Sequence, residues 1–491
     1  MGTSSDRGVV AAGHPLSAEA GARVLREGGN AVDGALAAML TSFVAEALLT
    51  GLGAGGYMLV AGAGNEPVLL DFFVQAPTRR GDGSEAELLA VDVSFGDAVQ
   101  VFHIGPASSG TYGNPAGVCA AAARWGSVSL PELAAPAVRL AQEGVPLNAG
   151  QAYVAEILAD LLTSTPECAA LWAPEGHVLR EGETLRSPDL AAALERLAQE
   201  GQEPFYRGDV AASVSDWLAA RGGSLGPADL ASYEAIEREP VRVRYRDREI
   251  LTNPPPSAGG ILLAYSLGLL DRGPAPPAMR GILDAMAAAQ AERGAAFLDG
   301  LADPGFLDAF MSSRLGSTTH ISVIDANGMA CAVTCTNGEG SGVLVPGTGI
   351  HLNNVMGEED LNPLGFHLHP AGRRMPSMMA PSIVLCDGEV ELVLGSAGSN
   401  RIRSALLQTI VGVVDRGLGA EDAVRAPRMH FEDGVVYAEP GVDLDGLDPE
   451  LQAVRFGALN LFFGGVQAAL RRDGVLSGAG DPRRGGASVL A

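Results

Sequence analysis

The sequence predicts a layered α/β body, on three observations. Helical and alternating segments interleave along the 491 residues, apolar residues make up 47% of them, and no charged or serine-rich break divides the chain. Residues Ser17–Glu27 and Ala31–Leu49 carry helical spacing with small residues suited to close helix contact. "GYMLVAGAG" and "EPVLLDFF" then read as paired strands around a turn. From Ser129 to Ala219 helical patterns dominate, and "LPELAAPAVRLAQEG" and "SPDLAAALERLAQEG" each close on a glycine. Those two segments are alike, but no sustained period follows, which argues against a repeat architecture. "VRVRYRDREILT" is an alternating strand pair, and "NPPPSAGG" is the loop that feeds the helix "ILLAYSLGLL". "RGPAPPAM" is the most linker-like segment and precedes a helix through Phe297. Beyond it the chain turns strand-rich in "THISVID", "ACAVTCT" and "SIVLCDGEVELVLG", before the long helix "NRIRSALLQTIVGVVDRG".

Charge narrows the partners. Asp plus Glu number 58 against 33 Lys plus Arg, a net −25, and such a surface repels nucleic-acid phosphates and anionic headgroups. No nucleic-acid or membrane partner is therefore expected. The five cysteines (Cys119, Cys168, Cys331, Cys335 and Cys386) show no framework spacing, which fits reduced thiols. The first residues lack a basic region followed by an apolar run, and the longest apolar stretch is interrupted by Asp33 and Glu46. That stretch reads as a buried helix, and the chain as cytoplasmic.

Several constellations compete for the chemistry. "GLGAGGYMLV" has the glycines of a dinucleotide fingerprint, but a strand and not a helix follows them, so no helix N-terminus would meet a pyrophosphate. "HLH" at His367–His369 has no third ligand at metal spacing, and there is no Gly-x-Ser-x-Gly elbow. "TTHISVIDANGMACAVTCT" is a hairpin. If its turn centres on Asn327-Gly328, Thr319 faces Thr336; with a three-residue loop, Thr318 faces Thr336 instead. Either register gathers three threonine hydroxyls at the open end, although threonine is also a common strand residue. "VELVLGSAGSNRI" adds a strand, a small-residue turn and a helix, where the N–H groups of Gly398 and Ser399 can hold an oxyanion. A threonine freed by cleavage of the preceding bond supplies its own base, its α-amine.

Taken together, "NAVDGALAA", "LLDFFVQAP", "PPPSAGG", "STTHISVID…ACAVTCT", "GTGIHLNN", "APSIV", "GSAGSNRI", "AVRAPRMHFED" and "SGAGDPRRGG" resemble the γ-glutamyltranspeptidases, in that order along nearly the whole chain. The resemblance implies an N-terminal-nucleophile hydrolase with a four-layer αββα sandwich. It implies self-cleavage between Ser317 and Thr318, giving a large segment 1–317 and a small segment 318–491 that stay intertwined. Thr318 becomes the nucleophile, Thr336 orients it, and Gly398 and Ser399 hold the oxyanion, serine replacing the family's second glycine. No metal or organic cofactor is called for.

Recognition departs from the family pattern. The arginine that clamps the donor's α-carboxylate is replaced by Phe73, which removes the strongest charge-assisted contact. The family's serine pair becomes Ser377 and Met378, and its asparagine falls on Gly338 with Asn337 adjacent. Its glutamine becomes Val355, and its aspartate becomes Glu358. Phe73, Val355 and Met378, where they converge, make an apolar acyl pocket that favours a donor without a free α-carboxylate. The alternative is another arginine, Arg373, Arg374 or Arg401, arriving from elsewhere. The expected activity is acyl transfer from a γ-glutamyl or other small-molecule amide to water or an amine. The rival readings are an acylase acting on a different amide and an unprocessed binding scaffold.

Overall fold

The structure is a computed structural model that describes residues 6–78, 88–94, 99–291, 319–362, 365–445 and 451–491. Two antiparallel sheets carry it. The first has seven strands in the order Ala487–Leu490, Gly8–Ala12, Thr319–Asp325, Ala330–Thr336, Gly55–Gly62, Asn65–Phe72 and Ile236–Arg238. The second has six, in the order Val475–Ala479, Gly465–Arg472, Glu389–Ala397, Ser382–Cys386, Arg248–Thr252 and Val241–Tyr245.

Strand alternation sorts the apolar side chains into three cores. Ile321, Val323, Val333 and Cys335 point to the helices Pro15–Arg26 and Ala31–Ala45. Their alternate neighbours Ile324, Ala330 and Ala332 join Leu59, Ile383 and Val393 between the two sheets. Val384, Leu392 and Leu394 face the helices Ala258–Asp271 and Arg401–Val414 on the far side. Each fully buried Val, Leu or Ile contributes about 1.5–3 kcal/mol, so strand register and helix docking are fixed together.

The helix Ala31–Ala45 is buried at all fifteen positions, which is why its sequence shows no polar stripe. Asn30 caps it, its Oδ1 accepting from Val32 and Asp33 N–H at 2.8 and 3.0 Å while Asp33 accepts from Asn30 N–H. The sequence extends this helix to Leu49, but it ends at Ala45. Glu46 leaves helical geometry at φ −128° and ψ 35°, and its carboxylate is held by hydroxyls from two other elements.

Three further differences are local. The strand Gly8–Ala12 escapes sequence reading because both its faces are buried and it does not alternate. The pair Leu89–Ser94 and Val99–Ile104 and the C-terminal strands are likewise additions. The helix after the linker runs Met279–Ala291 as described, and its extension to Phe297 lies outside the described residues.

Candidate active site

The hairpin takes the longer-loop register, Thr319 opposite Cys335 and Ile324 opposite Ala330. Asp325 builds the turn, its Oδ1 accepting from Asn327 and Met329 N–H at 2.9 and 3.0 Å, with Gly328 at φ +84°. At the open end Thr319 Oγ1 donates to Glu46 Oε2 at 2.8 Å, and Ser17 Oγ donates to Glu46 Oε1 at 3.0 Å. Glu46 is 5% exposed. Burial pushes its carboxyl up to about 7, against the pull of the two hydroxyl bonds. Gly13 lets the carboxylate in, since a Cβ there would lie 2.1 Å from Glu46 Oε2. Ser317 and Thr318 lie outside the described residues.

Thr336 ends the partner strand, paired with Gly55, and its Oγ1 accepts from Gly338 N–H at 2.8 Å. Gly338 turns at φ +64°, and a Cβ there would stand 2.1 Å from both Asn354 Oδ1 and Glu358 Oε1. Glu358 thus meets backbone where the family pattern puts an asparagine. The side chain of Asn337 donates elsewhere, to the His351 carbonyl at 3.3 Å. Across the second sheet, Gly398 at φ +118° and Ser399 at φ +50° form the turn into the helix Arg401–Val414. A Cβ on Gly398 would reach Gly464 Cα at 2.6 Å, so glycine is required there by contact as well as by dihedral.

A cleft opens beside Glu46, a space of about 670 Å³ that includes open solvent. Gly13, His14 and Glu46 line one side and Arg483 and Arg484 another, with Leu147, Val154 and Trp172 as apolar wall. Burial lowers His14 to about 4, so it stays neutral, and its Nδ1 accepts from Leu16 N–H.

The γ-glutamyltranspeptidase family model matches residues 17–317 and 307–491. The chain belongs to the γ-glutamyltranspeptidase family. It is 32% identical to the acylase ACY 1 proenzyme of Pseudomonas sp. strain SE83, across 99% of this chain and 94% of that one. It is 31% identical to the glutathione hydrolase proenzyme of Escherichia coli K12, across 97% and 90%. Among solved structures, a cephalosporin acylase from Bacillus halodurans matches with TM-score 0.84 at 24% identity, over 99% of this chain and 96% of that one, a likeness of fold. Family membership makes the chain an enzyme of the N-terminal-nucleophile hydrolase kind and agrees with the predicted α/β fold.

Within this γ-glutamyltranspeptidase-family chain the residues at which the sequence departs from the family pattern lie in two places. Phe73 is 0% exposed and stacks on Tyr57 with centroids 5.5 Å apart, and it shares the inter-sheet core with Val355, Met375 and Met379. Met378 does not converge with them. Alternation about Ser377 turns it to the opposite core, against the helix Ala258–Asp271, where its carbonyl would lie 1.9 Å from a Cβ on Gly259. Ser377 Oγ accepts from Met379 N–H at 3.0 Å, and its carbonyl accepts from Ser257 Oγ at 3.0 Å.

The substitute arginines separate as clearly. Arg374 is consumed: Nε reaches Asp71 at 3.3 Å, Nη1 reaches Gln75 at 2.6 Å, Nη2 bonds the Glu234 carbonyl, and the guanidinium lies 4.2 Å over Tyr233. Arg373 is exposed. Arg401 bonds the Phe462 carbonyl at 3.1 Å and rests on that ring at 4.6 Å. Sequence reasoning passed over Glu46 and Arg484, which line the cleft. Glu46 was visible only as an acidic interruption of an apolar run, and Arg484 only as one arginine in "GDPRRGG".

Proposed function

We propose that this chain cleaves itself before Thr318 and then acts as an amidohydrolase, forming an acyl-enzyme on that residue and passing the acyl group to water or an amine. The observation that carries the reading is the hydroxyl-rich open end of the hairpin. Its register, continued by one residue, would set position 318 against Thr336, one peptide step from the Thr319–Glu46 bond. Cleavage would have the Thr318 hydroxyl attack the Ser317 carbonyl, shifting the acyl group from nitrogen to oxygen. Water would then hydrolyse that ester, leaving a carboxylate on 317 and a free amine on 318. The two segments would remain one helix–sheet–sheet–helix stack, because Gly8–Ala12 is flanked on both sides by strands of the later segment.

In turnover, the α-amine takes the hydroxyl proton as oxygen attacks the amide carbonyl. The N–H groups of Gly398 and Ser399 carry the oxyanion, the amine leaves with the proton, and water or a second amine attacks the ester. An α-amine titrates at about 7.7–8.0, so it is available as a base near neutrality.

For the donor, the acylase reading draws support from Phe73. A γ-glutamyl α-carboxylate placed against Phe73, Tyr57 and Val355 would be buried without a partner, at a cost of several kcal/mol. The glutathione hydrolase relative supports γ-glutamyl donors as the second reading. Mass spectrometry of wild type and Thr318→Ala tests the core claim. Two fragments that meet at 317/318 in the first and one intact chain in the second are expected; an intact, active wild type would overturn it. A γ-glutamyl anilide should turn over poorly beside simple acyl anilides.

A further inference from the structure

Beside the turn proposed to hold the oxyanion, four side chains are linked by hydrogen bonds that no step of the acyl transfer uses. Asn400 follows Ser399 directly and opens the helix Arg401–Val414. An asparagine at a helix start ordinarily accepts from the next backbone N–H groups. Here its backbone is already helical, at φ −52° and ψ −24°, and its side chain caps nothing. Its Nδ2 donates instead to Glu432 Oε1 on the strand Met429–Glu432, and among the described residues its Oδ1 has no partner. The Glu432 bond therefore fixes a side chain that is 5% exposed.

Glu432 is held from its other oxygen. Its Oε2 lies 3.3 Å from His430 Nε2, and His430 Nδ1 lies 2.8 Å from Ser404 Oγ. Burial lowers His430 to about 4, so the ring is neutral near pH 7 and carries one N–H. Burial works to raise Glu432, yet the His430 bond and the guanidinium groups of Arg401 and Arg403 hold it at about 2, so it stays a carboxylate. A carboxylate only accepts, which puts the ring proton on Nε2 and leaves Nδ1 to accept from the Ser404 hydroxyl. The bonds thus leave the helix at Ser404 and return to its start at Asn400, one turn earlier. Hydroxyl, imidazole and carboxylate stand in the order of a hydrolytic triad, but Ser404 is 2% and His430 0% exposed, too deep to meet a substrate. Phe462 meets His430 edge-on at 6.2 Å and carries Arg401 on its face at 4.6 Å, so strand and helix start pack on one ring.

The use of this linkage follows from its neighbour. Ser399 stands at φ +50°, where the family pattern has a second glycine, and a residue with a side chain persists there only where its surroundings impose it. We propose that Asn400 and Glu432 are positioning residues that impose it, keeping the Ser399 N–H aimed at the oxyanion. Released, residue 399 would relax toward negative φ and turn the 398–399 peptide, and with it the N–H, out of line. The inference rests on the acyl-transfer reading and adds to it the device that lets a serine stand in the turn.

Steady-state kinetics test it, with valeryl or γ-glutamyl 4-nitroanilide, whichever wild type turns over faster. Asn400→Ala should lower kcat about 5- to 30-fold with KM within about 2-fold, the factor set by freeing a left-handed residue. Glu432→Ala should match it, and the double variant should lose no more than either alone, as one unit requires. Glu432→Gln still offers Asn400 an acceptor and should recover part of the loss. The comparison that decides is made in a Ser399→Gly background, where no side chain strains the turn and Asn400→Ala should cost less than about 2-fold. A role in general packing would lower kcat equally in both backgrounds. An equal loss in both, a loss carried by KM, or no loss overturns the inference. Should the alanine variants not fold, the same comparison between backgrounds with Glu432→Gln decides. Mass spectrometry of the fragment beginning at 318 distinguishes the two failures. Acylation and turnover that Asn400→Ala leaves unchanged overturn this inference alone, while a wild type that neither anilide acylates overturns the acyl-transfer reading with it.

Discussion

Glu46 illustrates how one carboxyl ties a site to stability. Buried at the end of the helix Ala31–Ala45, it accepts from Ser17 and Thr319, and Arg484 borders the same cleft. His14 beside it is neutral, its affinity for a proton lowered to about 4, and burial, with a smaller push from the charge of Glu46, raises the thiol of Cys335. With Glu46 raised from 4.5 to about 7, the folded state binds its proton more tightly than the unfolded chain does. That contribution is fully present below about pH 4.5 and is lost as pH rises through about 7. Glu46→Gln keeps a neutral group of the same shape. In the Thr318→Ala background it should therefore shrink the stability difference between pH 5 and pH 8 by about 2–3 kcal/mol, read by urea unfolding. An unchanged pH dependence would show that this carboxyl is not the group responsible. Sequence alone showed Glu46 as an acidic break and nothing more, because its partners come from positions 17 and 319, far apart along the chain. The places of Thr336 at a strand end and of Gly398 and Ser399 in a strand–turn–helix were readable because each lies inside a local pattern.

At the scale of elements, the turn Gly398–Ser399 and the hairpin do most to shape the site. Both turn residues sit in the left-handed region, at φ +118° and +50°, and a serine there carries strain of about 1–2 kcal/mol. If backbone N–H groups are what matters, Ser399→Gly should retain turnover and change stability by less than about 1 kcal/mol. Gly398→Ala should do the reverse, since its Cβ would press on Gly464 at 2.6 Å and the backbone would have to swing away. A drop in kcat of about 100-fold or more with KM little altered is expected from losing an oxyanion donor. Steady-state kinetics on both variants, with self-cleavage monitored on gels, separate a donor role from a side-chain role. The hairpin's existence was readable from alternation around Asn327-Gly328, but its register was not. Asp325 draws two N–H groups into a longer loop, and that choice depends on a side chain that both registers contain. Whether Met378 joins Phe73 and Val355 was open for a related reason: a family pattern gives position, while alternation along an extended segment decides which core a side chain enters.

At the scale of the whole molecule, the ends of the chain are tied into the body by charge as well as by strands. Arg483, Glu439, Asp481 and Arg428 form a buried ionic cluster in which the side chains of Arg483, Glu439 and Asp481 are all 0% exposed. It fastens the segment before the last strand to the strands around Met429–Ala438, while Ala487–Leu490 pairs with Gly8–Ala12. Removing Arg483 leaves Glu439 without an ion pair in a dry interior while Asp481 keeps Arg428, and breaking a buried pair typically costs about 3–5 kcal/mol. Arg483→Met preserves much of the volume and should lower the urea unfolding midpoint accordingly, because Glu439 loses its ion-pair partner. The pH profile supplies a second check. The guanidinium groups of Arg428 and Arg483 hold Asp481 below the ordinary carboxylate range, against burial that works the other way. Its contribution is therefore present above about pH 3.8 and is lost as pH falls through the lower folded value. Wild type should weaken in that acid window more steeply than Arg483→Met, because the variant has already lost part of the pairing that acid removes. Equal acid sensitivity in the two proteins would place the origin of acid lability outside this cluster.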